Sequence, residues 1–445
     1  MSRKKIIIMG AAGRDFHNFN IFYRDNKNYE VKAFTAAQIP DIHGRKYPGE
    51  LAGSLYPQGI PIYDQKELPR LIAAEKIEEC VLAYSDLHYR KVMELSALVN
   101  AAGANFVLLG PQQTMLESKK PILAVVATRT GTGKSQTSRR IAELALARGL
   151  KTVIVRHPMP YGNLAAQKVQ RFAAIDDLAR HKCTIEEMEE YEPHLERGNV
   201  VYAGVDYEAV LKAAEDDPNG CDLILWDGGN NDFSFYRPDL TITVADPHRA
   251  GHELSYYPGE VNLRLADVVL INKIDSASPE KIQIVRENTR KVNPQAVLIE
   301  AASPLKVDRP ELIANRRVLA VEDGPTLTHG EMPLGAGTLA AQKYGATEII
   351  DPREEAVGSL AQTFRDYPHL GKVLPAMGYG PQQIKDLEAT IAKIDCDAVI
   401  IGTPINLSRV VTIKQPQVRV GYDLQEIGRP DLEEILEPFF NKIKP

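Results

Sequence analysis

Short apolar runs alternate along the chain with longer stretches whose apolar positions return every three or four residues. That alternation predicts strands joined by helices, and so a parallel α/β architecture. A first group of strands is expected at 5-KIIIMG-10, 30-EVKAF-34, 80-CVLAY-84 and 105-NFVLLG-110. The polar stretch 35–70, punctuated by Pro40, Pro48, Pro57 and Pro61, reads as an ordered loop over the carboxyl edge of that sheet. A second group is expected at 121-PILAVVAT-128, 151-KTVIVRHP-158, 221-CDLILWDGG-229, 239-DLTITVADP-247, 267-DVVLINKID-275 and 296-AVLIEAASP-304, with 317-RVLAVEDG-324 as its last member. A third comprises 346-ATEII-350, 397-DAVIIGTP-404 and 417-QVRVGYDL-424. These groups predict a Rossmann-like domain over 1–118, a P-loop NTPase domain over 119–325 and a C-terminal α/β domain over 326–445. An acidic insertion, 176–198, is expected to be a solvated helical flap.

Composition narrows the function classes. At 445 residues the chain exceeds one ordinary core. Its 44% hydrophobic and 25% charged residues are those of a globular protein. A net charge of −6 carries no domain-wide basic bias, so nucleic acid is not an expected partner. Cys80, Cys183, Cys221 and Cys396 are far apart without metal-ligand spacing, which predicts packed thiols in a reducing cytoplasm. The apolar run near the N-terminus is too short for a signal peptide, and no run reaches the roughly 18 apolar residues of a membrane span.

The chemistry concentrates in 124-AVVATRTGTGKSQTS-138. A phosphate loop needs an abruptly ending strand, glycines that free backbone amides, and a helix N-terminus directly after. Gly131 and Gly133 supply the freedom and a helix is expected from Lys134, although Thr128 stands where the consensus has its first glycine, a deviant Walker A. Thr130, Gly131, Thr132, Gly133, Lys134, Ser135 and Gln136 would then hold the phosphates. Lys134 would reach the β/γ-phosphates, and Ser135 would ligate Mg²⁺ together with Asp227 of 222-DLILWDGGNND-232. In 270-LINKID-275, Asn272, Lys273 and Asp275 fit a purine-reading pattern, with Ala302 and Ser303 of 300-EAASP-304 one strand later, behind the base. The pattern favours guanine, yet a similarly placed asparagine also serves adenine, so ATP and GTP both stay open.

Arg129, five residues before Lys134, is a candidate for stabilising transferring phosphate charge, in its own chain or across a homodimer or higher homo-oligomer. Arg156 and His157 of 155-VRHPMPYGN-163, and His248, Arg249, His252 and Glu253 of 245-ADPHRAGHELSYYPGE-260, suit a phosphorylated or carboxylated small molecule. A third loop, with Asp323, Thr328, His329 and Gly335–Gly337, is a candidate anion cradle. Arg14, Asp15, His17 and Asn18 form a polar cluster after the first strand. Its GxxG turn lacks the third glycine of the dinucleotide fingerprint, so NAD is not expected.

The runs 9-MGAAGRDFHNFN-20, 127-ATRTGTGKSQTSR-139, 155-VRHPMPYG-162, 202-YAGVDYEA-209, 226-WDGGNNDF-233, 247-PHRAGHELSYYPGE-260 and 322-EDGPTLTHG-330 resemble the family of predicted GTPases related to cyclic 2,3-diphosphoglycerate synthetase. The resemblance implies an NTP-dependent enzyme that phosphorylates or activates a small anionic metabolite. The alternative from the same site is a GTPase switch or metallochaperone acting on a protein partner.

Overall fold

The computed structural model describes residues 3–11, 13–37, 44–157, 162–229, 232–328, 332–378 and 380–444. The chain forms two compact units. The first comprises 1–171, 199–300 and 428–445, and the second 172–198 and 301–427.

The first unit contains two sheets. In one, the central strand Lys4–Met9 runs parallel to Tyr29–Ala36 and to Glu79–Leu82, and Asn105–Leu108 lies beyond Glu79–Leu82. Ile6, Ile7, Ile8 and Met9 are completely buried, as expected for a strand covered on both faces. Here the sequence expectation needs correction. Residues 60–64, within the stretch read as loop, form a strand parallel to Tyr29–Ala36. Ile60 and Ile62 carry it into the core although Pro61 lies between them.

The second sheet of this unit is centred on Ile122–Ala127, every residue of which is buried. It pairs in parallel with Leu223–Asp227 on one side and Leu240–Ala245 on the other. Thr152–Arg156 and Val200–Ala203 continue outward beyond Leu223–Asp227, and Val268–Ile271 beyond Leu240–Ala245. The strand Val200–Ala203 was not anticipated from the sequence. Ile141, Ala142, Leu144 and Ala145 put an apolar stripe on one face of the helix Lys134–Ala147. That helix packs against Ile122–Ala127 and Leu223–Asp227, fixing the loop between strand and helix from both ends.

In the second unit, Arg317–Asp323 is an inner strand parallel to Ala398–Gly402 and to Leu374–Ala376. Contrary to the sequence expectation, it does not close the sheet centred on Ile122–Ala127. The acidic insertion is also not a solvated flap. Its helix Ile185–Leu195 starts at a capping box between Thr184 and Glu187, and Ile185 packs with Leu319, Val321 and Leu374. Glu186, Glu187, Glu189 and Glu192 are all buried. Such burial needs partners: Thr403 Oγ1 donates to Glu189 at 2.7 Å, and Arg409 pairs with Glu192 at 2.5 Å. No helix among the described residues is long and apolar enough to cross a membrane.

Candidate nucleotide site

The loop after Ile122–Ala127 is held by its carbonyls. Arg249 donates to Thr130 O at 2.6 Å, Lys273 Nζ to Gly131 O at 2.6 Å, and Asn272 Nδ2 to Thr132 O at 2.8 Å. Within a trans peptide plane the N–H lies opposite the C=O. Capturing three successive carbonyls therefore turns the amides of Gly131, Thr132 and Gly133 away from Arg249, Lys273 and Asn272. Gly131 and Gly133 have φ of 76° and 104°, the left-handed region that glycine alone enters without strain. A Cβ on Gly133 would also collide with Asn272 and Gln136. Thr128, in the position of the missing glycine, is buried and donates its N–H to Val244 O at 3.0 Å, so it continues the sheet pairing.

Lys134 opens the helix, with Ser135 and Gln136 in its first turn. Its ammonium lies 2.7 Å from Asp227 Oδ1, and Arg156 lies 2.5 Å from Asp227 Oδ2. The contact follows from topology: Ile122–Ala127 and Leu223–Asp227 are direct neighbours, with Asp227 in register with Val125. Asp227 and Arg156 are buried, and such charges persist in a core only when paired. Burial, reinforced by the Arg156 charge, pulls the Lys134 ammonium down to about 8, while Asp227 opposes the shift. The next residue, His157, accepts or donates at 2.6 Å to Tyr207 Oη. Burial first, then the charges of Arg156 and Lys134, hold its pKa down to about 3.

Arg129 points into its own chain. It bonds Asp86 at 2.7 Å and His252 at 2.6 Å and stacks over Tyr256, its guanidinium carbon 3.6 Å from the ring centroid. Asp86 also accepts the Thr130 N–H at 3.4 Å.

Other candidates make none of these contacts. His248 is exposed and bonds Ser276 at 2.9 Å, Asp275 is exposed, and Ala302 and Ser303 belong to the second unit. In the second unit Glu322 fills the Gly335–Gly337 turn, accepting from Gly337 N at 3.1 Å and from Thr338 N at 2.7 Å. His329, and residues 158–161 of the Arg156 loop, lie outside the described residues. Among the described residues there is no group of three or more His, Cys, Asp or Glu side chains able to hold a metal.

Sequence reasoning missed Asp86, Asp232 and Asp246. Asp246 pairs with Lys273 at 2.9 Å and Arg249 at 3.1 Å, so one buried carboxylate orients two of the three loop-holding side chains. These two cations hold its carboxyl below the usual range although burial pushes the other way. Its position at the carboxyl end of Leu240–Ala245 was the available signal.

The glycine loop, the lysine opening the helix and the acid on the adjacent strand define an α/β protein of the P-loop class. No family model matches the chain. Over 435 residues it is 61% identical to arginine synthetase ArcE of Thermococcus kodakarensis, an alignment covering 98% of this chain and 96% of that protein. The chain belongs to the family of that synthetase. The likeness to cyclic 2,3-diphosphoglycerate synthetase is narrower: 29% identity over 75 residues of the Pyrococcus furiosus protein, 17% of each chain. Among solved structures, LpxK from Aquifex aeolicus in complex with ATP aligns with 80% of this chain and 96% of that one, at 11% identity and a TM-score of 0.45.

Proposed function

We propose that the protein is an NTP-dependent synthetase that uses ATP to build the guanidino group of arginine. The observation that carries this reading is the buried Lys134–Asp227–Arg156 cluster at a glycine loop that leads directly into a helix N-terminus. The full-length likeness to an arginine synthetase supports the product. Arginine differs from its oxygen counterpart, a ureido amino acid, by a nitrogen in place of the urea oxygen. That oxygen is a poor leaving group. Transfer of the γ-phosphoryl group to it releases ADP and converts it to phosphate, and attack of ammonia then expels inorganic phosphate and leaves the guanidinium.

The chain's residues divide this work. The Gly131–Gly133 amides cradle the phosphates, and Lys134 balances charge on the transferring group. Asp227 holds Lys134 and Arg156 in place, so that both cations meet the phosphoryl oxygens without reorganising. Arg129 is an element of the same chain that fixes the loop against Asp86. Asp275 is the residue assigned to read the base. Ser135 and Asp227 offer the oxygen donors that Mg²⁺ prefers, and the ion would supply charge neutralisation at the β/γ-phosphates.

The test is phosphate release from ATP and from GTP, with citrulline plus ammonium and with a panel of phosphorylated metabolites, using Lys134→Ala as the blank. Citrulline-dependent release with stoichiometric arginine establishes the synthetase. Stimulation by a phosphorylated metabolite alone moves the acceptor class. Slow, unstimulated, GTP-selective hydrolysis turns the assignment to a switch acting on a protein partner.

A further inference from the structure

A second polar centre, unused in the chemistry above, lies within the first unit where the carboxyl edges of its two sheets meet. From one edge come Gly13 and Arg14, after Lys4–Met9, and Ser85, after Glu79–Leu82. From the other come His157, after Thr152–Arg156, and Asp232, after Leu223–Asp227. The edges touch: a Cβ on Gly13 would stand 3.0 Å from the His157 ring, and His17 stacks on Phe235 at 4.2 Å. His157 directly follows Arg156, the partner of Asp227, so this centre adjoins the side of the loop that carries Lys134.

Arg14 is 2% exposed and rigidly placed. Its Nε and one terminal nitrogen donate to Ala83 O at 3.2 Å and Tyr84 O at 2.5 Å, and the rings of Phe233 and Tyr257 flank it at 5.1 Å each. The other terminal nitrogen, NH1, is buried without a hydrogen-bond partner. Its nearest carboxylate is Asp232, whose Oδ1 is 3.4 Å away and accepts instead from Ser85 Oγ at 2.8 Å. Burial pushes the Asp232 carboxyl up to about 6, against the pull of Arg14.

Two opposite charges buried side by side, without a hydrogen bond between them, pay desolvation and leave donor capacity unused. A ligand that uses this capacity must present a carboxylate to Arg14 and a cation to Asp232. A zwitterion does both, and an anion alone would leave Asp232 opposed. We propose that Arg14 and Asp232, with Ser85 orienting the aspartate, grip the α-carboxylate and α-ammonium of an amino-acid acceptor. This assignment rests on the synthetase reading for its reaction, but it makes its own binding prediction.

The test compares KM for citrulline and for ATP in the wild type, Asp232→Asn and Ser85→Ala, with α-desamino citrulline as a second acceptor. The expected result is a citrulline KM raised 30-fold or more in Asp232→Asn and three- to tenfold in Ser85→Ala, with the ATP KM moving less than threefold. Preference for citrulline over the desamino analogue should collapse in Asp232→Asn. Ser85→Ala removes one hydroxyl and carries the test alone if Asp232→Asn does not fold. A citrulline KM within twofold of wild type in the variants that fold overturns the site. If wild-type protein releases no phosphate with citrulline, the synthetase reading fails, and calorimetric titration with citrulline and arginine then decides the site separately. Binding that weakens in the variants keeps it, and wild-type protein that binds neither amino acid overturns it.

Discussion

Two of the glycine-led helix N-termini in this molecule differ in what occupies them. In the first unit, Gly131 and Gly133 lead into Lys134–Ala147, and the carboxylate paired with the lysine, Asp227, comes from the neighbouring strand with Arg156 on its other oxygen. In the second, Gly335 and Gly337 begin Ala336–Lys343, and Glu322 reaches across to take the Gly337 and Thr338 amides and the Thr338 hydroxyl. Both turns are built for negative charge. One has its carbonyls held by Arg249, Lys273 and Asn272, which leaves it open for the proposed nucleotide, and the other is filled by a side chain of its own unit. Glycine spacing therefore announces an anion-accepting turn, and the residues arriving from adjacent strands decide whose anion it is.

The largest effect that can break this comparison is expected in Lys134→Ala. Nucleotide-dependent turnover should fall about 1,000-fold or more, since a charge aimed at the transferring phosphoryl group is lost. Retained turnover, measured by phosphate release, would mean that the first turn is not the nucleotide loop. Gly133→Ala should come next. It forces a side chain into a backbone conformation with φ of 104° and into Asn272, so nucleotide affinity in a fluorescent-analogue titration should drop about 100-fold. An unchanged affinity would show that the loop tolerates a second geometry.

Glu322→Ala tests the other turn. It orphans the Gly337 and Thr338 amides and the Thr338 hydroxyl among its donors, for which a loss of about 3 kcal/mol in denaturant unfolding is expected. Sulfate should then recover part of that loss in the variant and not in the wild type, by occupying the vacated turn. Equal responses to sulfate would remove the parallel between the two helix starts.

The two turns also mark how far the sequence could be read. GTGKS after an apolar run is legible because strand, glycines and lysine are local, and the order of Asp227 and 270-LINKID-275 follows from one chain passing through one sheet. Asp86 on Arg129, Ser85 on Asp232 and Asp246 on Lys273 join distant segments, and no local pattern announces them. Asn272 and Lys273 were recognised as a motif, yet their grip on the loop carbonyls is visible only in three dimensions. The strand Ile60–Asp64 was hidden by its proline, and the acidic helix Ile185–Leu195 by its charge, because burial of its carboxylates depends on Thr403, Asn406 and Arg409 far along the chain. Glu322 was passed over for the same reason: beside Gly335–Gly337 it is a filler, and alone in 317-RVLAVEDG-324 it is one more strand-end acid.

The smallest expected effect sharpens the comparison furthest, because it asks what charge the filled turn actually carries. A phosphate brings its charge from solution, whereas Glu322 must ionise inside the protein. Burial raises its pKa above the usual carboxyl value, and the hydrogen bonds from Thr338, Gly337 and Gly335 offset only part of that shift. With the folded pKa above the unfolded one, the folded state binds the extra proton, so this group's contribution to stability declines as pH rises through the interval between the two values. Glu322→Gln removes the titration and keeps a side-chain oxygen for the turn, at the cost of a constant loss where its amide faces a backbone N–H. The difference in unfolding free energy between wild type and Glu322→Gln should therefore favour the wild type most at acid pH and shrink as pH rises from about 4.5 toward neutrality. A difference that grows with pH would mean that the helix N-terminus outweighs burial and stabilises the ionised form. The filled turn would then hold its anion as strongly as the nucleotide loop is expected to hold phosphate.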